Sequence, residues 1–105
     1  MTSQTARLLD PSRAVVAVVT VTDETDRFGG TIDLSSTPPT IRAVFDEFEE
    51  IVNGQMFSFL DEVEAKVAAL GLIAEFPDGT TAPVADLQVY PTAGEVSFRA
   101  AVAVG

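Results

Sequence analysis

Apolar residues in the middle third of the chain recur at intervals of three and four positions. The series starts at Ile41 and ends at Leu70, and Gly71 then supplies a residue that readily ends a helix. Its other members are Val44, Phe45, Phe48, Ile51, Val52, Met56, Phe59, Leu60, Val63 and Val67. Ahead of it, residues 35–37 offer capping hydroxyls and residues 38–39 are prolines suited to a first helical turn. The pattern predicts one long amphipathic helix over about residues 38–70, ~45 Å in length.

The dipeptide Asn53-Gly54 interrupts this helical pattern. Asn-Gly often marks a turn, and a glycine inside a helix costs about 1 kcal/mol relative to alanine. The apolar phase nevertheless continues, because Val52 and Met56 are one step of four apart. We therefore favour a single helix kinked at Gly54, and two helices with a break at 53–54 are the alternative.

The segments on both sides of the helix have strand patterns. Residues 6–9, 14–22 and 31–35 precede it, and valines on both faces of 14–22 predict a strand covered on each side. Residues 72–76, 86–90 and 95–104 follow it, with the middle strand expected to start near Asp86 because Pro83 limits pairing before that point. The resulting order is βββ-α-βββ. We expect a single α+β domain, residues 1–105, with the long helix packed on a mainly antiparallel sheet.

The absence of cysteine and histidine restricts the chemistry of the chain. Disulfides, thiol nucleophiles, the commonest general base and the usual transition-metal ligands are all excluded. The acidic turn at Asp23, Glu24 and Asp26 lacks the ligand spacing of an EF-hand. We therefore expect no catalytic residue, no metal and no cofactor, and a protein that is not an enzyme.

The start of the chain has no hydrophobic signal region, and its longest apolar run, residues 67–74, is far shorter than the ~20 residues that cross a bilayer. These two features predict a cytoplasmic protein.

Acidic residues greatly outnumber basic ones. Sixteen Asp and Glu face six Lys and Arg, so the formal net charge is −10. Nucleic acids and anionic membranes bind basic surfaces and are disfavoured as partners, whereas a basic protein surface would be attracted and steered. Solubility alone is the plain alternative explanation of the charge.

The candidate partner-binding residues come mainly from the polar face of the predicted helix. They are Asp46, Glu47, Glu49, Glu50, Asp61, Glu62 and Glu64. A solvated helix face explains the same pattern without any partner. Phe57 lies off the main apolar stripe and would mark an interface if it were exposed, and Tyr90, the only tyrosine, is a further candidate contact.

The leading hypothesis is a non-enzymatic acidic interaction domain that binds a basic partner protein. Bacterial immunity proteins, antitoxins and inhibitors are analogues at the level of class, and a toxin is one such partner. One alternative is a structural or self-associating domain that forms a homodimer through the long helix. Another is a small-ligand-binding domain with a pocket between helix and sheet.

Overall fold

The computed structural model describes residues 3–24 and 26–100. These residues form six strands: β1 (Ser3–Leu9), β2 (Val15–Asp23), β3 (Phe28–Asp33), β4 (Ile73–Glu75), β5 (Thr81–Tyr90) and β6 (Glu95–Ala100). Between β3 and β4 lie α1 (Pro39–Asn53), a 3-10 turn (Phe57–Phe59) and α2 (Leu60–Ala69). None of the helices in these residues is long and apolar enough to cross a membrane.

The strands form a closed antiparallel barrel in the order β1-β2-β3-β6-β5-β4. Closure occurs where β1, already paired with β2, also pairs with β4 through Arg7–Glu75, Leu8–Ala74 and Leu9–Ile73. The prediction of an α+β protein with a long helix on a sheet is therefore wrong. The structure differs from the prediction because a sheet that closes on itself buries one face in its own interior and needs no helical layer to cover that face.

The interior of the barrel is apolar. Leu8, Val19, Val21, Val89 and Phe98 are among its buried side chains, and the described residues include no buried polar or charged residue. Phe45 of α1 and Val67 of α2 belong to the same buried cluster, so the helices cover the barrel with a few large side chains. The expectation that strand 14–22 is covered on both faces is also wrong, because Val15 is 38% exposed and Val18 only partly buried.

The predicted long helix is broken at residues 54–56, as in the two-helix alternative. Gln55 has φ +54°, and the amide of Met56 donates to the Ile51 carbonyl at 2.9 Å while that of Gln55 donates to Val52 at 3.2 Å. This pair of hydrogen bonds is the Schellman arrangement that ends helices. Because the chain leaves the helix here, the step of four from Val52 to Met56 reflects two elements and not one continuous turn.

The start of α1 also differs from expectation. No side chain caps the helix, and Pro38 occupies the cap position. The hydroxyl of Thr37 instead donates to the Val16 carbonyl at 2.6 Å, which fastens the loop before the helix to β2. At the other end of the hairpin, Gly71 has φ +63° just beyond α2, as predicted.

Strand β5 starts earlier than predicted. It runs from Thr81 and includes Pro83, which is paired with Ile73 of β4. The amide of Val84 donates to the Leu72 carbonyl, toward β4. Successive backbone nitrogens of a strand point to opposite sides, so the nitrogen of Pro83 points toward β6. The described pairing of β5 with β6 begins only at Val84. The missing N–H of the proline therefore removes no described ladder bond. Of the predicted last strand, residues 101–104 lie outside the described residues.

Gly30 is placed where β2 and β3 approach most closely. A Cβ atom at this position would lie 1.9 Å from the carbonyl oxygen of Thr20, a backbone atom that cannot move aside. The neighbouring Gly29 differs, since its Cβ would meet only the flexible Glu24 side chain, at 2.9 Å. Phe28-Gly29-Gly30, interpreted from sequence as a turn or bulge, is thus part of a strand.

We expect Gly30→Ala to lower the free energy of unfolding by about 3 kcal/mol or more, because the added methyl must push two barrel strands apart. Urea denaturation followed by circular dichroism measures this change. Gly29→Ala is the matched control and should change stability by less than about 1 kcal/mol. Equal losses in the two variants would contradict the role assigned to Gly30.

Three turns are held by aspartate side chains. Asp10 accepts hydrogen bonds from the Ser12 hydroxyl at 2.6 Å and from the Ser12 and Ala14 amides at 2.9 and 3.0 Å. The Ser12 hydroxyl contributes most to holding the pKa of Asp10 below its ordinary value. Hydrogen bonds from the backbone amides of Ser35 and Thr80 are the main cause that lowers the pKa of Asp33 and of Asp78, respectively.

A carboxylate with a lowered folded-state pKa stabilises the fold above its unfolded pKa, and this contribution is lost as the pH falls through the folded value. We therefore expect the stability advantage of the native chain over Asp10→Asn to shrink between about pH 5 and pH 2. Urea denaturation across this range measures it, and Ser12→Ala should reduce the same advantage. A difference that stays constant with pH would contradict the prediction.

Candidate functional site

The helical hairpin, residues 39–69, has a small core of its own. Phe48 and Ile51 of α1 and Val63 of α2 are buried together, and Tyr90 of β5 packs beside them with its ring 5.7 Å from that of Phe48. An exposed ion pair also joins the two helices: the Nζ of Lys66 in α2 lies 3.0 Å from both carboxylate oxygens of Glu47 in α1. The two helices are therefore fixed to each other and to one strand of the barrel.

The turn between the helices exposes two phenylalanines. Phe57 is 60% and Phe59 53% exposed, and the only other exposed large hydrophobic side chain in residues 3–24 and 26–100 is Val15, on the barrel. Phe59 was predicted to lie on the buried stripe, and that prediction is wrong because the left-handed Gln55 resets the helical phase before the 3-10 turn. Phe57 was expected to mark an interface if it were exposed, and it is exposed.

A groove of about 370 Å³, lined in part by Phe59, opens between the helices. We call it the tip groove. Its apolar lining comes from Ile51, Met56 and Phe59, and its polar lining consists of three carboxylates, Glu47, Glu50 and Glu62. An apolar floor with an acidic rim is thus assembled from both helices and the turn that joins them.

The carboxylates of the hairpin divide into two groups. Asp46 pairs with Arg42 at 3.1 Å, Glu47 pairs with Lys66, and Glu49 accepts hydrogen bonds from Thr92. Within the described residues the structure shows no ion pair or hydrogen bond for the side chains of Glu50, Asp61, Glu62 and Glu64. Asp61 and Glu62 lie in the first turn of α2, where negative charge is favourable for the helix. Their carboxylates are still exposed to solvent and free to meet a ligand.

Most positive charges of the described residues are used within the protein. Arg7 pairs with Glu75, Arg99 lies 3.7 and 3.6 Å from Asp26 and Asp86, and Arg27 donates to the Asp86 carbonyl and the Ser97 hydroxyl. Arg13, in the turn between β1 and β2, is the exception, and the unpaired charge of the two helices is therefore negative.

The nine predicted partner-binding residues do not form one surface. Glu47, Glu50 and Glu62 meet at the tip groove, and Phe57 is exposed in the turn that joins the two helices. Glu64 lies on another side of α2, next to the bulged part of β5. Glu49 and Tyr90 line a separate cleft, described next.

A cleft of about 750 Å³ lies between α1 and the outer face of the barrel. We call it the barrel cleft. Its carboxylates are Glu24 at the end of β2, Glu49 of α1 and Glu95 of β6, and no Lys or Arg is among its lining residues. Asn53, Tyr90 and Thr92 add an amide, a phenol and a hydroxyl.

Glu49 has a fixed orientation in this cleft. Its carboxylate accepts the Thr92 amide at 3.1 Å and the Thr92 hydroxyl at 2.7 Å, which fastens α1 to the β5–β6 turn. The Tyr90 hydroxyl donates to Gln88 at 3.2 Å and is oriented as well. Glu24 lies over Gly29, where a side chain would occupy its place.

Sequence reasoning did not place Glu24, Asn53, Thr92 and Glu95 in a common site, because they come from three separated segments of the chain. The pairing of β3 with β2 and β6 brings these segments together, and no local pattern reports that pairing. Among residues 3–24 and 26–100, no group of three or more His, Cys, Asp or Glu side chains is arranged to hold a metal ion. The three glutamates of the cleft are thus lining residues rather than a ligand set.

No protein-family model, no curated protein and no solved structure matches the chain.

Proposed function

We propose that the protein is a non-enzymatic interaction domain that binds a basic partner protein through the tip of its helical hairpin. The contact surface consists of Phe57, Phe59 and the tip groove with its acidic rim. The proposal assigns the negative charge of the chain a role in choosing and steering the partner.

The observation that carries the proposal is the exposure of Phe57 and Phe59 in the turn between the helices, where Phe59 lines a groove together with the unpaired carboxylates of Glu50 and Glu62. Two large aromatic side chains in water contribute little to the stability of the fold, whereas aromatic residues are enriched among the side chains that dominate interfaces. The flanking Glu50 and Glu62 repel acidic surfaces and attract basic ones. A partner that offers apolar groups and positive charge satisfies both parts of this surface.

A second copy of the chain is a poor partner for the apolar and acidic parts of this surface. The helix through which a homodimer was expected does not exist as one element, since it ends at Asn53. Two hairpin tips brought together would also place Glu50, Asp61 and Glu62 of one copy against acidic residues of the other, which is unfavourable.

Site-specific photocrosslinking tests the proposal. A photoreactive phenylalanine analogue in place of Phe57, irradiated in a lysate of the source cells, should form a covalent adduct with one defined basic protein. The same analogue in place of Val15 is the matched control. Val15 is also an exposed large apolar side chain, but it lies on strand β2 of the barrel and not on the hairpin.

The purified partner should then bind the native chain, and binding should weaken by about tenfold or more in Phe57→Ser. It should also weaken as salt concentration rises. An adduct with an acidic protein, equal adducts at positions 57 and 15, or no adduct at position 57 would overturn the proposal.

The barrel cleft favours a second candidate function, the binding of a small cationic ligand. Its volume of about 750 Å³ is in the range of small-molecule sites. Glu24, Glu49 and Glu95 give the lining a negative charge that no lining Lys or Arg offsets. An ammonium or guanidinium group would fit between them.

Spermidine is a suitable probe for this second function, with binding measured by isothermal titration calorimetry. We expect Glu95→Gln to weaken binding by about tenfold, because one charge of the cleft is lost. Glu64→Gln makes the same change outside the cleft and should have little effect. Binding that is absent, or equally weakened by both variants, would contradict a site in the cleft.

A further inference from the structure

We infer that the segment of the partner that enters the tip groove is a short amphipathic α-helix, with apolar anchor residues on one face and Lys or Arg on both flanks. The inference rests on the proposed function, since it specifies the partner of the same surface. It is carried by the closure of the barrel, the composition of the groove floor and the placement of the rim carboxylates.

Closure of the barrel argues against recognition by strand addition. A peptide that binds as an added strand needs a sheet edge with unpaired backbone groups. In the described residues each strand pairs with a neighbour on both sides, and the unpaired edge of β1 is reduced to residues 3–6, because its residues 7–9 pair with both β2 and β4. The tip groove lies between two helices and next to exposed Phe59, and amphipathic helices are the usual occupants of such grooves.

The floor of the groove fits apolar anchors rather than a polar ligand. Ile51 is buried and supplies the base, and Phe59 is half exposed and forms a wall. Met56 lies between them, and its flexible thioether adapts to different apolar side chains. A groove of about 370 Å³ holds only a few side chains, which matches one or two anchors from successive turns of a helix.

The rim determines where the positive charges of the partner lie. Glu50 belongs to α1 and Glu62 to α2, so carboxylates flank the groove from both helices. Glu47 is already paired with Lys66, and this leaves Glu50 and Glu62 as the two rim groups that can bind a partner's cations. A helix seated between them needs a Lys or Arg on each side of its apolar stripe.

The chain itself carries no such segment in its described helices. Arg42 is the only basic residue of α1 and Lys66 the only one of α2, and both are paired within the hairpin. Neither helix can place positive charge on both flanks of an apolar stripe. The occupant is therefore a different protein and not a second copy.

Three synthetic peptides of equal length test the inference against the whole purified chain by fluorescence anisotropy. The first is an amphipathic Leu/Lys helix, the second replaces every Lys by Glu, and the third keeps every Lys but replaces every Leu by Ser. Only the first should bind, and its affinity should fall as salt increases. If the third peptide bound as tightly as the first, the role assigned to the apolar floor would be wrong. If the second peptide bound, the role assigned to the acidic rim would be wrong.

Variants then locate the binding to the groove. Phe59→Ala should weaken binding of the Leu/Lys peptide by about tenfold, and Glu50→Gln with Glu62→Gln should weaken it and flatten its salt dependence. Glu64→Gln makes the same change of charge on α2 outside the groove and should leave binding within about twofold. Equal effects of Glu62→Gln and Glu64→Gln would overturn the assignment to the groove. Circular dichroism checks that each variant is folded.

The two proposals fail in different ways. If Phe57 crosslinks to a basic protein but the Leu/Lys peptide does not bind, the proposed function stands and the helical mode is wrong. If Phe57 yields no adduct and the peptide also fails to bind, both are wrong. If the peptide binds both native chain and Phe59→Ala equally, the peptide contacts another acidic surface and the inference is overturned.

Discussion

The pairing of β1 with both β2 and β4 is the constraint on which the rest of this structure depends. It turns six strands into a closed barrel whose interior takes the apolar side chains of every strand. A sheet of this kind has no large uncovered face, so the helices are not required as a layer. Phe45 and Val67 are the buried hairpin residues of the barrel core, Ile41 and Val44 pack against it, and a second small core forms around Phe48 and Val63.

This division of the core explains why the tip of the hairpin is free. The helices are fixed near the barrel by Phe45, by the Glu49–Thr92 bonds and by the contact between Phe48 and Tyr90. Beyond these contacts the chain turns back through Phe57 and Phe59, which pack against no barrel residue of the main core. Apolar surface that the fold does not use is available to a partner.

Local patterns in the sequence indicated the elements better than their arrangement. Valine-rich and alternating segments marked strand-forming regions, and Gly71 marked the end of α2. The helix break was hidden because Met56 kept the apolar spacing across Gln55, whose left-handed backbone no periodicity reports. Closure was hidden for a different reason: it depends on β4, a strand of three residues that follows the helical hairpin, pairing with β1 at the start of the described chain. Such pairing is set by tertiary contacts and not by local preference.

The site was predictable in its charge but not in its geometry. Composition alone indicated an acidic surface, and Phe57 was recognised as a residue whose exposure would decide the matter. That Glu50 and Glu62 line the same groove as Ile51, Met56 and Phe59 follows only from the folding of two helices onto one another. The glutamates of the barrel cleft likewise meet through strand register.

The position of Tyr90 has a practical consequence. The chain has one tyrosine and no tryptophan, so a single ring dominates its ultraviolet emission over the weakly emitting phenylalanines. That ring lies edge-on against Phe48 and borders the space between α1 and the barrel. The protein therefore carries a built-in optical probe at the joint between its two parts, and the native chain can report loosening of that joint without any added dye.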